Sequence, residues 1–90
     1  MAFPTRMISE KADQIEIDLD FVPKEAEFED YMNLVAIVSD VDALVKFNSP
    51  ENKPFLHKSN LVYNWFFPIK KIICEAVNEK GKLYAWGEKI

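Results

Sequence analysis

The stretch Gln14–Val22 reads QIEIDLDFV. Ile15, Ile17, Leu19 and Phe21 occupy every second position, and Glu16, Asp18 and Asp20 fill the places between them. A period of two marks a strand with one face buried and one face wet. Pro23 closes it, because proline has no N–H to donate to a ladder. Residues 1–13 stand ahead of this strand as a candidate arm.

Beyond Pro23, residues 24–47 read mainly as helix. Lys24–Asp30 are polar, with Glu25, Glu27 and Glu29 placed early, where acids suit the positive end of a helix dipole. Phe28, Tyr31, Met32, Val35 and Val38 then recur at spacings of three and four. Val35, Ile37 and Val38 are β-branched and oppose that reading. Ser39 followed by Asp42 resembles a capping box, which would start a second short helix. Residues 48–58 hold Asn48, Ser49, Pro50, Asn52 and Pro54 and read as a loop.

Ser59 or Asn60 would cap a further long helix running to Glu79. Its apolar series is Val62, Trp65, Phe66, Ile69, Ile72, Ile73, Ala76 and Val77, and Lys80 and Gly81 stop it. Pro68 conflicts with this helix, since an internal proline costs about 3 kcal/mol. It implies either a kink or a strand over 61–66 with the helix starting at Pro68. Lys82–Trp86 read as a short last strand. The sequence therefore predicts a single α+β domain of β-α-α-β order, with two main helices against a small antiparallel sheet whose terminal strands pair. Two strands alone are marginal, so a further strand or a homodimer is expected.

Ninety residues allow one domain. An apolar content of 49% argues for a packed core rather than disorder. Uninterrupted apolar runs reach only Leu34–Val38 and Trp65–Ile69, too short for a transmembrane helix. The basic-then-apolar order of a signal peptide is missing at the N-terminus. One cysteine cannot form an internal disulfide, which suits a reducing, cytoplasmic setting. The net charge of −4 disfavours direct binding to duplex DNA or to an anionic membrane.

That charge is divided unevenly. Residues 1–52 carry twelve acids against four bases, a balance of −8, and residues 53–90 carry seven lysines against three glutamates, a balance of +4. Two solvated faces that attract each other in the fold would account for the division. So would an acidic face offered to a basic partner.

The residue types leave little for catalysis. His57 is the only histidine and Cys74 the only cysteine, so a Cys74–His57 pair is the one nucleophilic arrangement available. Cys74 flanks the apolar series and reads better as a small core residue. One histidine and one cysteine cannot make a zinc site. Asp40, Asp42 and Glu51 have calcium-loop spacing, but Leu44 and Val45 stand where an oxygen ligand and a glycine are needed. Asp42 with Glu51 and Lys53 matches a metal-nuclease pattern by coincidence. Gly81 and Gly87 are too few for a phosphate loop. No metal or other cofactor is therefore expected. Trp65, Phe66, Phe67, Tyr84 and Trp86 share the C-terminal half with Lys70, Lys71, Lys80, Lys82 and Lys89, a single-strand-binding composition. They fit core packing better, with Tyr84 and Trp86 left as a candidate dimer contact.

Glu16, Asp18 and Asp20 would stand in a row on one strand face, about 6.6 Å apart. A stiff row of carboxylates can occupy a groove built for phosphates. Duplex DNA is denser, with about one charge per 1.7 Å, so Glu25, Glu27, Glu29 and Asp30 are needed on an adjoining surface. In this the chain resembles phage-encoded DNA mimics, such as the anti-restriction proteins of T-even phages. The resemblance covers residues 13–42 and rests on charge pattern alone. It implies a non-enzymatic inhibitor, dimeric, that blocks the basic site of a DNA-binding enzyme such as a restriction nuclease. The alternative is a small adaptor or oligomeric structural protein whose aromatic C-terminal surface makes the contacts.

Overall fold

The computed structural model describes residues 12–89. Eight strands make up the fold: β1 Ala12–Leu19, β2 Lys24–Met32, β3 Leu34–Ser39, β4 Ala43–Phe47, β5 Phe55–His57, β6 Tyr63–Trp65, β7 Ile69–Ala76 and β8 Gly81–Glu88. They form two antiparallel sheets, in the orders β1-β8-β3-β6 and β2-β7-β4-β5. Every consecutive link crosses from one sheet to the other except β4–β5. That is the order of a jelly-roll sandwich.

The first strand and its pairing with the last are as expected. β1 runs antiparallel to β8, with Ile17 opposite Leu83 and Asp18 opposite Lys82. Ile15, Ile17 and Leu19 enter the core and Glu16 and Asp18 face solvent. Phe21 does not follow its alternation inward: it lies in the turn and is 52% exposed. Residues 12 and 13 of the expected arm belong to β1, and the rest of it lies outside the described residues.

The two expected helices are absent, and the chain is all-β over the described residues. Residues 24–47 fold as three strands. Glu25-Ala26-Glu27-Phe28-Glu29 already alternates with period two, and Phe28 is buried while its acidic neighbours are exposed. The helical spacing of Phe28, Tyr31, Met32, Val35 and Val38 arises where two strands meet at Asn33. β3 is a β-branched run buried on both sides, with Val35 and Ile37 in the main core and Ala36 and Val38 under Trp86 and Tyr84 on the outer face. Ser39 caps no helix: its hydroxyl donates to the Val41 carbonyl at 2.7 Å and tightens the β3–β4 turn.

Residues 59–79 also fold as strands. Pro68 lies just ahead of β7, where its missing N–H costs no ladder bond, and β6 occupies part of the 61–66 stretch. The 48–58 loop contains β5. Asn48, with φ of 66°, takes the left-handed conformation that asparagine tolerates. It fastens this loop to β7 by accepting from Lys70 N at 2.9 Å and donating to Pro68 O at 3.0 Å.

The core is the space between the sheets, filled by Phe28, Ile37, Ile69, Ile72 and Leu83 among others. Phe47 closes its β5–β6 side, with its ring 5.3 Å from Trp65 and 5.4 Å from Phe55. At one end of the sandwich, four turns are tied together. Ala76 N donates to Asp20 O at 2.7 Å, Val77 N to Asp42 O at 3.2 Å and Asn60 N to Ser39 O at 2.7 Å.

Candidate interaction surface

β1 is an edge strand of one sheet and β2 an edge strand of the other. They lie against each other on the same side of the sandwich, where Glu29 N donates to Asp13 Oδ2 at 3.1 Å. Glu16 and Asp18 project from the outer face of one sheet, and Glu25, Glu27 and Glu29 from the outer face of the other. Asp20 directly follows the first strand and Asp30 lies near the end of the second. The acidic residues that sequence reasoning put on a strand and a helix thus gather along two strand edges.

They do not gather alone. Lys82 stands opposite Asp18 in the ladder and lies 3.5 Å from Glu16 and 3.9 Å from Asp18. Lys71 lies 3.8 Å from Glu25 and 3.6 Å from Glu27. Lys80 lies 3.5 Å from Asp20 and Lys89 lies 2.6 Å from Asp30. With Lys58–Asp42, every ion pair among the described residues joins an acid of the first half to a lysine of the second. The jelly-roll pairings β1–β8 and β2–β7 therefore stitch the divided charge back together. Eight carboxylates (Asp13, Glu16, Asp18, Asp20, Glu25, Glu27, Glu29, Asp30) meet Lys71, Lys80, Lys82 and Lys89 on this side, and Lys24 and Lys70 lie near enough to act on Asp20 and Asp30, which leaves an excess of −2.

The titrations follow this geometry. Asp20 is held below the usual carboxylate range, first by the Phe21 N–H at 2.7 Å and then by Lys80. Asp30 is held down by Lys89 and by the Tyr31 N–H. Glu16, then Asp18, raise the Lys82 ammonium. All these groups are in contact with solvent, so each pair adds little to stability and is screened by salt.

The expected dimer contact adjoins this acidic side, with Tyr84 opposite Glu16 and Trp86 opposite Gln14 in the β1–β8 ladder. Tyr84 and Trp86 sit on the outer face of the β1-β8-β3-β6 sheet, with Tyr84 half-buried and Trp86 only 5% exposed over Ala36 and Val38. The cleft beside Trp86, lined also by Leu34, Ala36, Asn64 and Glu88, has a volume of about 10 Å³, room for roughly one water. Of the aromatics considered for base stacking, Trp65 and Phe67 are engaged with Phe47, and Phe66 is 71% exposed.

Cys74 and His57 are not brought together. β4 lies between their strands, so their backbones are about 10 Å apart or more. Burial pushes the Cys74 thiol up to about 12, with Glu75 adding to it. A thiol so held is not a nucleophile at neutral pH. His57 is fully buried, its ring stacked 4.4 Å from Tyr63 and its Nε2 2.8 Å from Leu61 O. Its Nδ1 has no hydrogen-bond partner among the described residues, and burial lowers its pKa. Among the described residues no three His, Cys, Asp or Glu side chains cluster as a metal site would require. No helix among them is long and apolar enough to cross a membrane.

A second surface was missed. Phe21, Val22, Leu61, Val62 and Val77 are exposed on the tied turns at one end of the sandwich. Sequence reasoning assigned Phe21, Val62 and Val77 to buried faces of regular elements. The signal for Phe21 and Val22 was their position directly before Pro23, inside a turn. No protein-family model matches this chain, and no curated protein or solved structure matches it significantly.

Proposed function

We propose that the protein is a non-enzymatic inhibitor, acting in the cytoplasm, that lays its acidic β1–β2 side into the basic site of a DNA-binding enzyme such as a restriction nuclease. One observation supports this reading: eight carboxylates from residues 13–30 lie on one side of the sandwich and outnumber the six lysines among them. Such a side competes with phosphates for a cationic groove and gains from the same release of counterions. The interspersed lysines limit its charge density, so binding should be fast and salt-sensitive rather than extremely tight.

The test uses the full chain against a panel of purified restriction nucleases cutting a plasmid. Inhibition is expected at low salt and should fade as salt rises to physiological levels. The combined variant Glu16→Gln, Asp18→Asn, Asp20→Asn should lose most of it. Equal inhibition by that variant, or no inhibition of any nuclease in the panel, refutes the proposal.

A second reading, a small adaptor or oligomeric structural protein, draws on a different observation. Large apolar side chains remain half-exposed or more at the ends of the sandwich, from Val62 at 51% to Phe66 at 71%. Interaction surfaces commonly carry such residues.

A further inference from the structure

The two long sides of the sandwich are closed differently. On one side β1 and β2 meet, edge strands of 8 and 9 residues. On the other side β5 and β6 are edge strands of 3 residues each, and among the described residues no ladder joins them. β5 pairs with β4 over Phe55–His57, and β6 with β3 over Tyr63–Trp65. Two ring pairs bridge the gap: Phe55 and Trp65 with centroids 4.5 Å apart, and His57 and Tyr63 with centroids 4.4 Å apart. The turn linking the two strands is held by Ser59 N on Asp42 Oδ1 at 2.9 Å, Asn60 N on Ser39 O at 2.7 Å and His57 Nε2 on Leu61 O at 2.8 Å. Strands so short, joined to each other by side chains alone, belong to the low-stability end of a fold and can open while the long ladders stay formed.

His57 is wholly enclosed in this side. A carbonyl only accepts, so the proton of the neutral ring sits on Nε2, facing Leu61 O, and Nδ1 carries the bare lone pair. Among the described residues nothing donates to Nδ1. A second proton can bind only there, and it would bury a charge and an N–H without an acceptor. The groups around the ring do not offset that cost. Tyr63 on β6 offers the face of its ring. In the adjoining turns Asp42 and Lys58 pair with each other at 3.8 Å, and Asp40 is turned to Lys82 N. Lys46 of β4 reaches Pro50 O, and Cys74 and Glu75 stand on β7, beyond β4. Burial is accordingly the main influence on His57 and lowers its pKa, the bond to Leu61 O opposes it, and no charged group adds to either.

We propose that β5, β6 and the turn between them form a flap pinned shut by His57, which lets go when the ring takes up a proton. The closed flap holds the neutral ring, and the open flap gives Nδ1 to water. Opening uncovers Phe55, Trp65 and the core behind them and leaves the β1–β8 and β2–β7 ladders in place. The flap lies on the side away from the acidic β1–β2 edges and does not depend on what they bind. An exposed imidazole titrates near pH 6.5, so when only the open flap takes the proton the opening equilibrium rises by up to about 80-fold from pH 7.0 to pH 4.5.

Amide hydrogen exchange of the full chain reads this opening, as protection relative to the free-peptide rate at each pH. The Asn60 N–H and the ladder amides of β5 and β6 are expected to be less protected than those of β1–β8 at both pH values. Their protection should fall by more than about twofold, and by up to about 80-fold, between pH 7.0 and pH 4.5. His57→Gln and His57→Phe cannot take the proton, and whichever keeps the native far-UV spectrum should show no such fall. Asp42→Asn, which keeps an acceptor for Ser59 N, should fall as the native chain does. Protection of β5 and β6 equal to that of β1–β8 would mean that this side opens only with the whole fold, and overturns the proposal. So does a fall below twofold in the native chain, its persistence in a folded His57 variant, or its loss in Asp42→Asn.

Discussion

Gly81 opens β8 directly beneath the β3–β4 turn. A Cβ placed there would overlap Asp40 Oδ1 and lie 2.7 and 2.9 Å from the two methyls of Val41. The Asp40 carboxylate is itself held, accepting from Lys82 N at 2.8 Å, and Val41 is a buried core residue. Neither neighbour is the free end of a flexible side chain, so Gly81→Ala must shift the turn or the strand. Overpacking of this kind costs about 1–3 kcal/mol. The loss of unfolded-chain freedom on replacing glycine returns about 0.4–1 kcal/mol. The expected net loss is therefore about 1–2 kcal/mol, or a melting temperature lower by roughly 5–15 °C for a chain of this size. Urea unfolding followed by tryptophan fluorescence reads it as a lower midpoint at constant slope. If the overlap with Val41 is the cause, Gly81→Ala should cost less in a Val41→Ala background, with a coupling of at least about 0.5 kcal/mol. A midpoint equal to or above that of the native chain would refute the packing argument.

Three further outcomes are expected. His57 is buried with its pKa lowered, so the unfolded chain takes up its proton first: stability should be full above about pH 6.5, fall as pH drops below that value, and level off below the folded pKa. Urea midpoints across this window should show that slope, and His57→Gln should remove it. Cys74, with its thiol pushed to about 12, should resist a thiol reagent in the native protein and react once urea unfolds it; rapid native labelling would contradict its burial. Phe28→Ala should cost about 3–5 kcal/mol, because this ring is almost completely enclosed between the sheets; a loss below about 1 kcal/mol by thermal melting would show that β2 is only loosely held.

The first strand, over residues 14–19 of the expected 14–22, and its pairing with the last strand were legible because strict alternation over several residues admits no helical alternative. The remaining strands were not, for two separate reasons. In β2 the pattern of Glu25, Ala26, Glu27, Phe28 and Glu29 was a strand signal, but the charged residue types favour helices and tilted the reading. In β3 and β7 both faces are covered, so Leu34–Val38 and Ile69–Ala76 show little alternation, and their apolar residues fit a helical stripe equally well. The acidic cluster was legible as residues but not as a surface. That the lysines of the second half lie among those acids follows from β1–β8 and β2–β7 pairing across most of the chain, which no local pattern encodes. The apolar end was hidden for the same reason, since its five residues come from three separate turns.

The strand orders also govern how this chain can be made. β8 is the inner neighbour of both β1 and β3, and β7 of both β2 and β4. The central strand of each pair of ladders is thus made after both strands it joins, and of the six ladders only the short β3–β6 and β4–β5 can close before β7 and β8 are made. Until then Leu34–Ser39, β-branched and apolar on both sides, has no partner strand but the short β6, and it stays open to other chains. Closing ladders between such distant segments is slow. A chain that loses β8 should not yield a smaller jelly roll but a collection of unpaired strands, and its expression should end in aggregates.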